Sequence, residues 1–247
     1  MASVTISVKW KDRTFQVDMQ KGHFIGIPLD HIHGQPNAFF APLYEAGPHK
    51  VGTWIGDTRE GASVNFYDLR LNPHGNGTHT ECVGHIATER YSVHQTLGSG
   101  FWIAQLISVF PTQTENGDRV IDQLDWEEGV EAIILRTLPN HEDKKKRNYS
   151  GTNPPYLHAG IARKMADDNV LHLLLDLPSV DREEDAGALA AHKAFWSYPD
   201  QPRKNATISE MIYVDNVIPD GLYLLEIQMP ALELDASPSR PYIYPLR

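Results

Sequence analysis

Within Gly75-Asn76-Gly77-Thr78-His79-Thr80-Glu81-Cys82-Val83-Gly84-His85, the side chains of His79, Glu81, Val83 and His85 recur at every second position. In an extended segment such residues project from one side of the strand. Two imidazoles and a carboxylate on one surface offer neutral nitrogen and hard oxygen donors, a set suited to Zn²⁺, Mn²⁺ or a similar divalent ion. The surrounding glycines let the backbone take positive φ and approach a ligand closely. The same spacing also fits a polar strand edge whose histidines are satisfied by backbone groups, so the rest of the chain has to decide.

Those side chains need a scaffold. Val4 to Val8 and Thr14 to Val17 flank Trp10-Lys11-Asp12-Arg13 and predict an opening β-hairpin. Gly22 to Pro48, rich in His, Pro and Gly, reads as a long loop region of the kind that often serves function. His23, His31, His33 and His49 fall in or near it and read as surface histidines. Ser63 to Leu71 alternates as a strand that stops at Asn72-Pro73. Glu131 to Thr137 and Val170 to Leu175 are short apolar runs, as in strands buried on both faces. Between them Leu157, Ile161 and Met165 predict a helix over Tyr156 to Asp168, started by Asn153-Pro154-Pro155, which together make a βαβ unit. Glu183 to Trp196 predicts a second helix with Leu189, His192 and Trp196 on one inward face. Ile208 to Val214 and Leu222 to Met229 read as further strands.

Several residues that invite a chemical role have a plainer reading. His172, inside the apolar run, reads as a satisfied core histidine. Cys82 should point away from the face of Glu81 and behave as a small buried hydrophobe. Asp176, Ser179 and Asp181 fit helix and turn capping as well as substrate contact. Lys144 to Arg147 reads as a solvated loop tip.

The glycine-rich segment resembles the signature of the metal-dependent cyclase family that includes bacterial kynurenine formamidase, H-x-G-T-H-x-D-x-P-x-H. Gly77-Thr78-His79 matches its G-T-H, Glu81 stands for the Asp, Val83 for the Pro, and His85 falls on the final His. Further blocks are similar in order: Ile134 to Thr137, Asp176 to Asp181, His192, Ile208-Ser209-Glu210, and Ser237-Pro238-Ser239-Arg240. Roughly residues 60 to 247 are covered. The resemblance implies metal ligands at His79, Glu81, His192 and Glu210, with Glu81 able to bridge two ions, and a general acid/base at His85. The family's first histidine falls on Gly75, while His74 lies one position earlier. A one-residue bulge in the glycine-rich turn would return His74 to the metal. Without it a ligand is lost and a single ion follows. The implied cofactor is zinc or manganese, as one or two ions.

The resemblance also implies a fold: α/β, a single domain with a mixed curled β-sheet and outer helices, of the swivelling β/β/α type. No linker or repeat divides the 247 residues. Residues 1–60 form the N-terminal hairpin and loop region and residues 61–247 the metal-site core. The formal net charge of −10 argues against a nucleic-acid partner. Apolar runs are too short to span a bilayer, and the N-terminus from Met1 to Thr5 has no secretory pattern, so a cytoplasmic chain without membrane partners is expected. The single Cys82 excludes an internal disulfide. Phe39, Phe40 and Trp54 supply apolar surface for a homo-oligomer, dimer or tetramer, or for closing a small-molecule pocket.

The expected chemistry is hydrolysis of an amide, formamide, or cyclic amide or ester by a metal-activated water, with a histidine moving the proton. Neither a G-x-S-x-G elbow nor a P-loop or dinucleotide fingerprint in the right context is present. A non-catalytic metal or small-molecule binder and a metal-dependent lyase or isomerase remain as alternatives on sequence grounds.

Overall fold

A computed structural model of the chain describes residues 4–247. Residues 1–3, part of the stretch read above for a secretory start, lie outside the described residues. The opening hairpin forms from β1 (Thr5–Trp10) and β2 (Arg13–Asp18), with Thr5 opposite Asp18. The main sheet collects β3 (His23–Phe24), β4 (His79–Cys82), β5 (Trp102–Val109), β6 (Ala132–Thr137), β7 (His172–Leu175), β8 (Thr207–Glu210), β9 (Gly221–Gln228), β10 (Ala236–Pro238) and β11 (Arg240–Pro245). Their order is β10-β4-β8-β7-β6-β5-β9-β11-β3. The central β8, β7, β6 and β5 are parallel, and every outer pairing is antiparallel.

A parallel centre explains the apolar runs, because both faces of these strands are covered. Along β6, Ile133 and Leu135 enter one core while Ala132 and Ile134 enter another on the opposite face. Short α1 (Val93–Leu97) follows β4, and the first core receives Ala162 and Met165 of α2 (Ala159–Asp167) and Ala191, Phe195 and Trp196 of α3 (Ala190–Trp196). The predicted βαβ unit is therefore β6, α2 and β7, and the whole is the expected α/β fold on one curled mixed sheet.

Four expectations are corrected. The second helix starts at Ala190 rather than near Glu183, because Asp185 accepts from the Gly187 and Leu189 amides and holds a turn with Ala186, Gly187 and Leu189 at positive φ. The strand from Ile208 stops at Glu210, since Met211 takes φ of 50° and its amide turns to the Leu177 carbonyl. Ser63 to Leu71 shrinks to Tyr67–Arg70, which pairs with Glu45–Pro48 in a separate two-stranded ribbon, so the Gly22 to Pro48 region is not all loop.

The fourth correction is Lys144, which the basic run placed in solvent. A short 3₁₀ turn, Glu142–Lys146, rotates it inward, and its ammonium donates to Asp176 Oδ2 at 2.7 Å, the Thr137 carbonyl at 2.6 Å, Thr137 Oγ1 and Asn140 Oδ1. A buried charge needs this full set of partners.

His172 is the core histidine expected, with Nδ1 2.8 Å from Thr207 Oγ1 and its ring against Trp102. Burial depresses its pKa to about 3. The unfolded imidazole titrates near 6.5, so below that pH the unfolded chain takes up a proton that the folded chain refuses. Stability from this group is full above about pH 6.5 and is lost as pH falls toward 3, a loss on the order of a few kcal/mol. Urea unfolding between pH 7 and 4.5 should show that decline in the wild type and a flatter profile in His172→Asn. Equal slopes would remove His172 as the cause.

Candidate metal centre

The β4 strand fixes the floor of the site. His79 and Glu81, two residues apart, share one face, and the antiparallel register sets Glu210 of β8 directly opposite His79. His79 Nε2 lies 3.4 Å from Glu210 Oε2. His79 Nδ1–H donates to the Gly77 carbonyl at 2.9 Å, which leaves the lone pair on Nε2, facing the carboxylates. The other Glu210 oxygen accepts from the Val180 amide at 2.9 Å.

Helix α3 delivers His192 from across the first core. Its Nε2 donates to Glu81 Oε1 at 3.1 Å and stands 3.9 Å from Glu210 Oε1. Its Nδ1 donates to Asp181 Oδ2 at 2.6 Å, and Asp181 also accepts from the Ala191 and His192 amides. The capping role read for Asp181 holds, and the same carboxylate orients the histidine, as partners of metal-bound imidazoles commonly do.

His85 reaches the cluster differently from the period-two expectation. The strand ends at Cys82, Val83 is buried in the core, and a 3₁₀ turn over Val83–His85 swings the ring back until Nδ1 is 3.7 Å from Glu81 Oε2. Cys82 is buried with Sγ 3.7 Å from the Tyr91 carbonyl, and burial pushes its thiol pKa up, as suits an inert side chain.

His74 joins the cluster, with Nδ1 3.0 Å from Glu81 Oε2. Position 75 has no room for a ligand, since a Cβ there would stand 2.3 Å from Ala41 Cβ. Hence the imidazole sits one residue earlier than in the family signature. Sequence reasoning missed Asp235, whose Oδ2 accepts from His74 Nε2 at 2.9 Å and lies 3.5 Å from His85 Nδ1. Its only signal was adjacency to the matched Ser237-Pro238-Ser239-Arg240 block.

Electrostatics bind these groups together. Burial alone would lower the His192 pKa, but the hydrogen bonds to Asp181 and Glu81 and the nearby carboxylate charges carry it up to about 10. His74 is likewise lowered by burial and pushed up to about 10 by Asp235 and Glu81. Burial raises Glu81, yet the surrounding histidines outweigh it and hold the carboxyl well below its usual range.

The donors fit a divalent cation. His79 Nε2 and Glu81 Oε2 are buried without a hydrogen-bond partner, the close His74 Nδ1 being misaligned for one, and an unsatisfied buried pair of this kind is costly. Ligands about 2.0–2.2 Å from a tetrahedral ion stand roughly 3.3–3.6 Å apart, and the 3.4 Å between His79 Nε2 and Glu210 Oε2 matches. Donors of His74, Glu81 and His85, and of His79, Glu81 and Glu210, fall within 4.8 Å of one another, so Glu81 belongs to both groupings. An ion would take the place of protons on His74 and His192, so its affinity should weaken as pH falls.

The floor is closed and the mouth is open. Side chains of His79 and Glu81 are 0% exposed, whereas those of His85 and Asp235 are 30% and 37% exposed. A small molecule would meet His85, His74 and Asp235 first.

Comparison with known proteins follows the same lines. A family model described as Putative cyclase matches residues 4–182, and the chain belongs to that family. The match includes His74 to His85 and Asp181 but stops short of His192, Glu210 and Asp235. A kynurenine formamidase of Bacillus cereus is 27% identical over 207 residues, which is 79% of this chain and 92% of the relative. Among solved structures, a potential metal-dependent hydrolase with cyclase activity superposes with a TM-score of 0.61 at 17% identity, covering 91% of this chain and 97% of the other. An isatin hydrolase bound to the product analogue thioisatinate gives 0.61 at 12% identity, with 92% and 94% covered. These two share the fold.

Proposed function

We propose that this chain is a metal-dependent hydrolase that cleaves the acyl carbon–nitrogen bond of a small amide, formamide or cyclic amide, or the acyl carbon–oxygen bond of a related cyclic ester. The observation that carries the reading is the buried pair His79 Nε2 and Glu81 Oε2, left without hydrogen bonds beneath an accessible histidine. The kinship with a kynurenine formamidase and the fold shared with an isatin hydrolase support the substrate class.

His79, Glu81, His192 and Glu210, joined by His74, would hold the cofactor, zinc before manganese, as one or two ions, with Glu81 common to both donor groupings. A bound divalent ion supplies a polarised carbonyl and a water whose pKa falls from about 15.7 toward about 7. The protein's own part is orientation and proton transfer. Asp181 and the Val180 amide fix His192 and Glu210 at the floor. As water adds to the acyl carbon and the carbon–nitrogen bond breaks, His85 takes the proton from water and passes it to the departing nitrogen. Glu81 and Asp235 beside Nδ1 keep that ring aimed at the mouth.

No helix among the described residues is long and apolar enough to cross a membrane. Within this reading the enzyme works in the cytoplasm as a dimer or tetramer, with exposed Phe39, Phe40 and Trp54 available to a neighbouring subunit. Metal content by mass spectrometry, on protein purified without chelator and supplied with Zn²⁺ or Mn²⁺, tests the core of it. Stoichiometric metal in the wild type, its loss in His79→Ala, and turnover of a panel of N-formyl amines, cyclic amides and lactones are expected. Metal-free wild type would overturn the site, and metal-loaded protein inert on the whole panel would overturn the hydrolase.

A further inference from the structure

His74 is held in an unusual way for a member of this cluster. His79, Glu81 and Glu210 ride on paired strands, and His192 rides on a helix whose first amides donate to Asp181. His74 lies in the irregular turn after Pro73, where no strand ladder fixes it, and its side chain is 22% exposed. What orients its ring must therefore be side-chain contact, and beside the neighbouring His79 and His85 rings two polar contacts are present. Nδ1 faces Glu81 Oε2 at 3.0 Å, and Nε2 faces Asp235 Oδ2 at 2.9 Å. The two carboxylates lie at opposite ring nitrogens, so Asp235 stands outside the donor groupings and Glu81 inside both.

Asp235 is itself well anchored. Its carbonyl accepts from the Cys82 amide at 3.0 Å, the preceding Leu234 carbonyl accepts from Val93 at 2.8 Å, and the next residue, Ala236, pairs with Glu81 in the sheet. The C-terminal segment is thus clamped to the end of β4, and its aspartate is aimed back across the mouth. The His74 and His85 rings lie against each other, tilted by 32° with centroids 4.2 Å apart, and Asp235 Oδ2 sits beside both.

We propose that Asp235 is a positioning residue: by accepting from His74 Nε2 it turns Nδ1 toward Glu81 and makes an imidazole from an unsupported turn usable as a ligand. This rests on the metal-centre reading above. A carboxylate behind a ligating imidazole fixes its tautomer and ring plane and raises its basicity, and removing such a partner typically costs about 10–100-fold in metal affinity. A ligand role for Asp235 would instead place its oxygen among the inward donors, where Glu81 already stands.

The test is a mutant cycle on metal affinity. Zn²⁺ binding to metal-stripped wild type, Asp235→Ala, His74→Ala and the double variant is measured by competition with a chromophoric chelator, and the Co²⁺-loaded proteins are compared by visible absorption. Asp235→Ala should bind Zn²⁺ about 10–100-fold more weakly with an altered cobalt spectrum. His74→Ala and the double variant should bind equally, since Asp235 acts through His74. Asp235→Asn, which keeps an acceptor and the side-chain volume, should lose less than Asp235→Ala and serves if the alanine variant fails to fold. Additive losses in the double variant, wild-type affinity in Asp235→Ala, or an Asp235→Asn as weak as His74→Ala would each overturn the proposal. Wild type that binds no Zn²⁺ would overturn the metal reading itself and this one with it.

Discussion

Glu81→Gln is expected to strip the protein of stoichiometric metal and to cut turnover on the order of 10³-fold, the upper range seen when one electrostatic stabiliser is removed from an active site. Among the described residues Glu81 is the one carboxylate within 4 Å of three of the cluster's histidines. Its Oε1 accepts from His192, its Oε2 faces His74 at 3.0 Å and His85 at 3.7 Å, and it belongs to both donor groupings. The amide keeps the volume but removes the charge, and it turns one of the two acceptor atoms into a donor aimed at imidazole. In metal-free protein Asp181 and Asp235 do most to raise His192 and His74 to about 10, and the same change takes away the Glu81 carboxylate that adds to both, so both should titrate at lower pH, which the histidine resonances in NMR would report. Glu81→Gln with full metal content and unchanged histidine titrations would show that the carboxylate is not the centre's hub. Glu81→Asp separates charge from reach. It restores the family's residue, but the strand backbone here is set by pairing to both β8 and β10, so the carboxylate would retract by about one methylene from partners that cannot follow.

Why the sequence exposes some of this site and hides the rest follows from the ranges of the forces involved. His79 and Glu81 are legible because a strand's two-residue period is local, and β6 and β7 are legible because burial on both faces leaves an unbroken apolar run. His85 matches the family's final histidine, but the two-residue period that also points it to this face breaks at Val83, which faces the core while a 3₁₀ turn carries His85 round. His74 could only be read against the family spacing, since what moves the ligand off position 75 is Ala41, a contact made from a distant loop. Asp235 and the burial of Lys144 are likewise tertiary facts. Lys144 sits in a run of four basic residues, Lys144 to Arg147, and nothing in that run distinguishes the one that meets Asp176.

His85→Ala separates binding from chemistry, because His85 is the most exposed histidine of the cluster while remaining within reach of Glu81 and Asp235. Its ring makes no hydrogen bond that holds an element in place, and its neighbours Val83 and Ile86 supply the packing of the turn. The variant should therefore fold and keep its metal. Turnover should fall by about 10²–10⁴-fold, the usual contribution of a positioned general acid or base. The loss should appear in kcat more than in KM, since proton transfer to the departing nitrogen matters in the transition state and little in the bound substrate. Leaving-group dependence sharpens the test. A substrate whose departing nitrogen is a poor base needs little protonation, so it should be slowed less than one whose nitrogen is strongly basic. Metal content, kcat and KM measured across such a series would show a slope in His85→Ala steeper than in the wild type. Equal turnover in the two proteins would reject the acid/base role, and equal slopes with a uniform loss would make His85 a positioning or ligand residue, as its place beside His74 and Glu81 also permits.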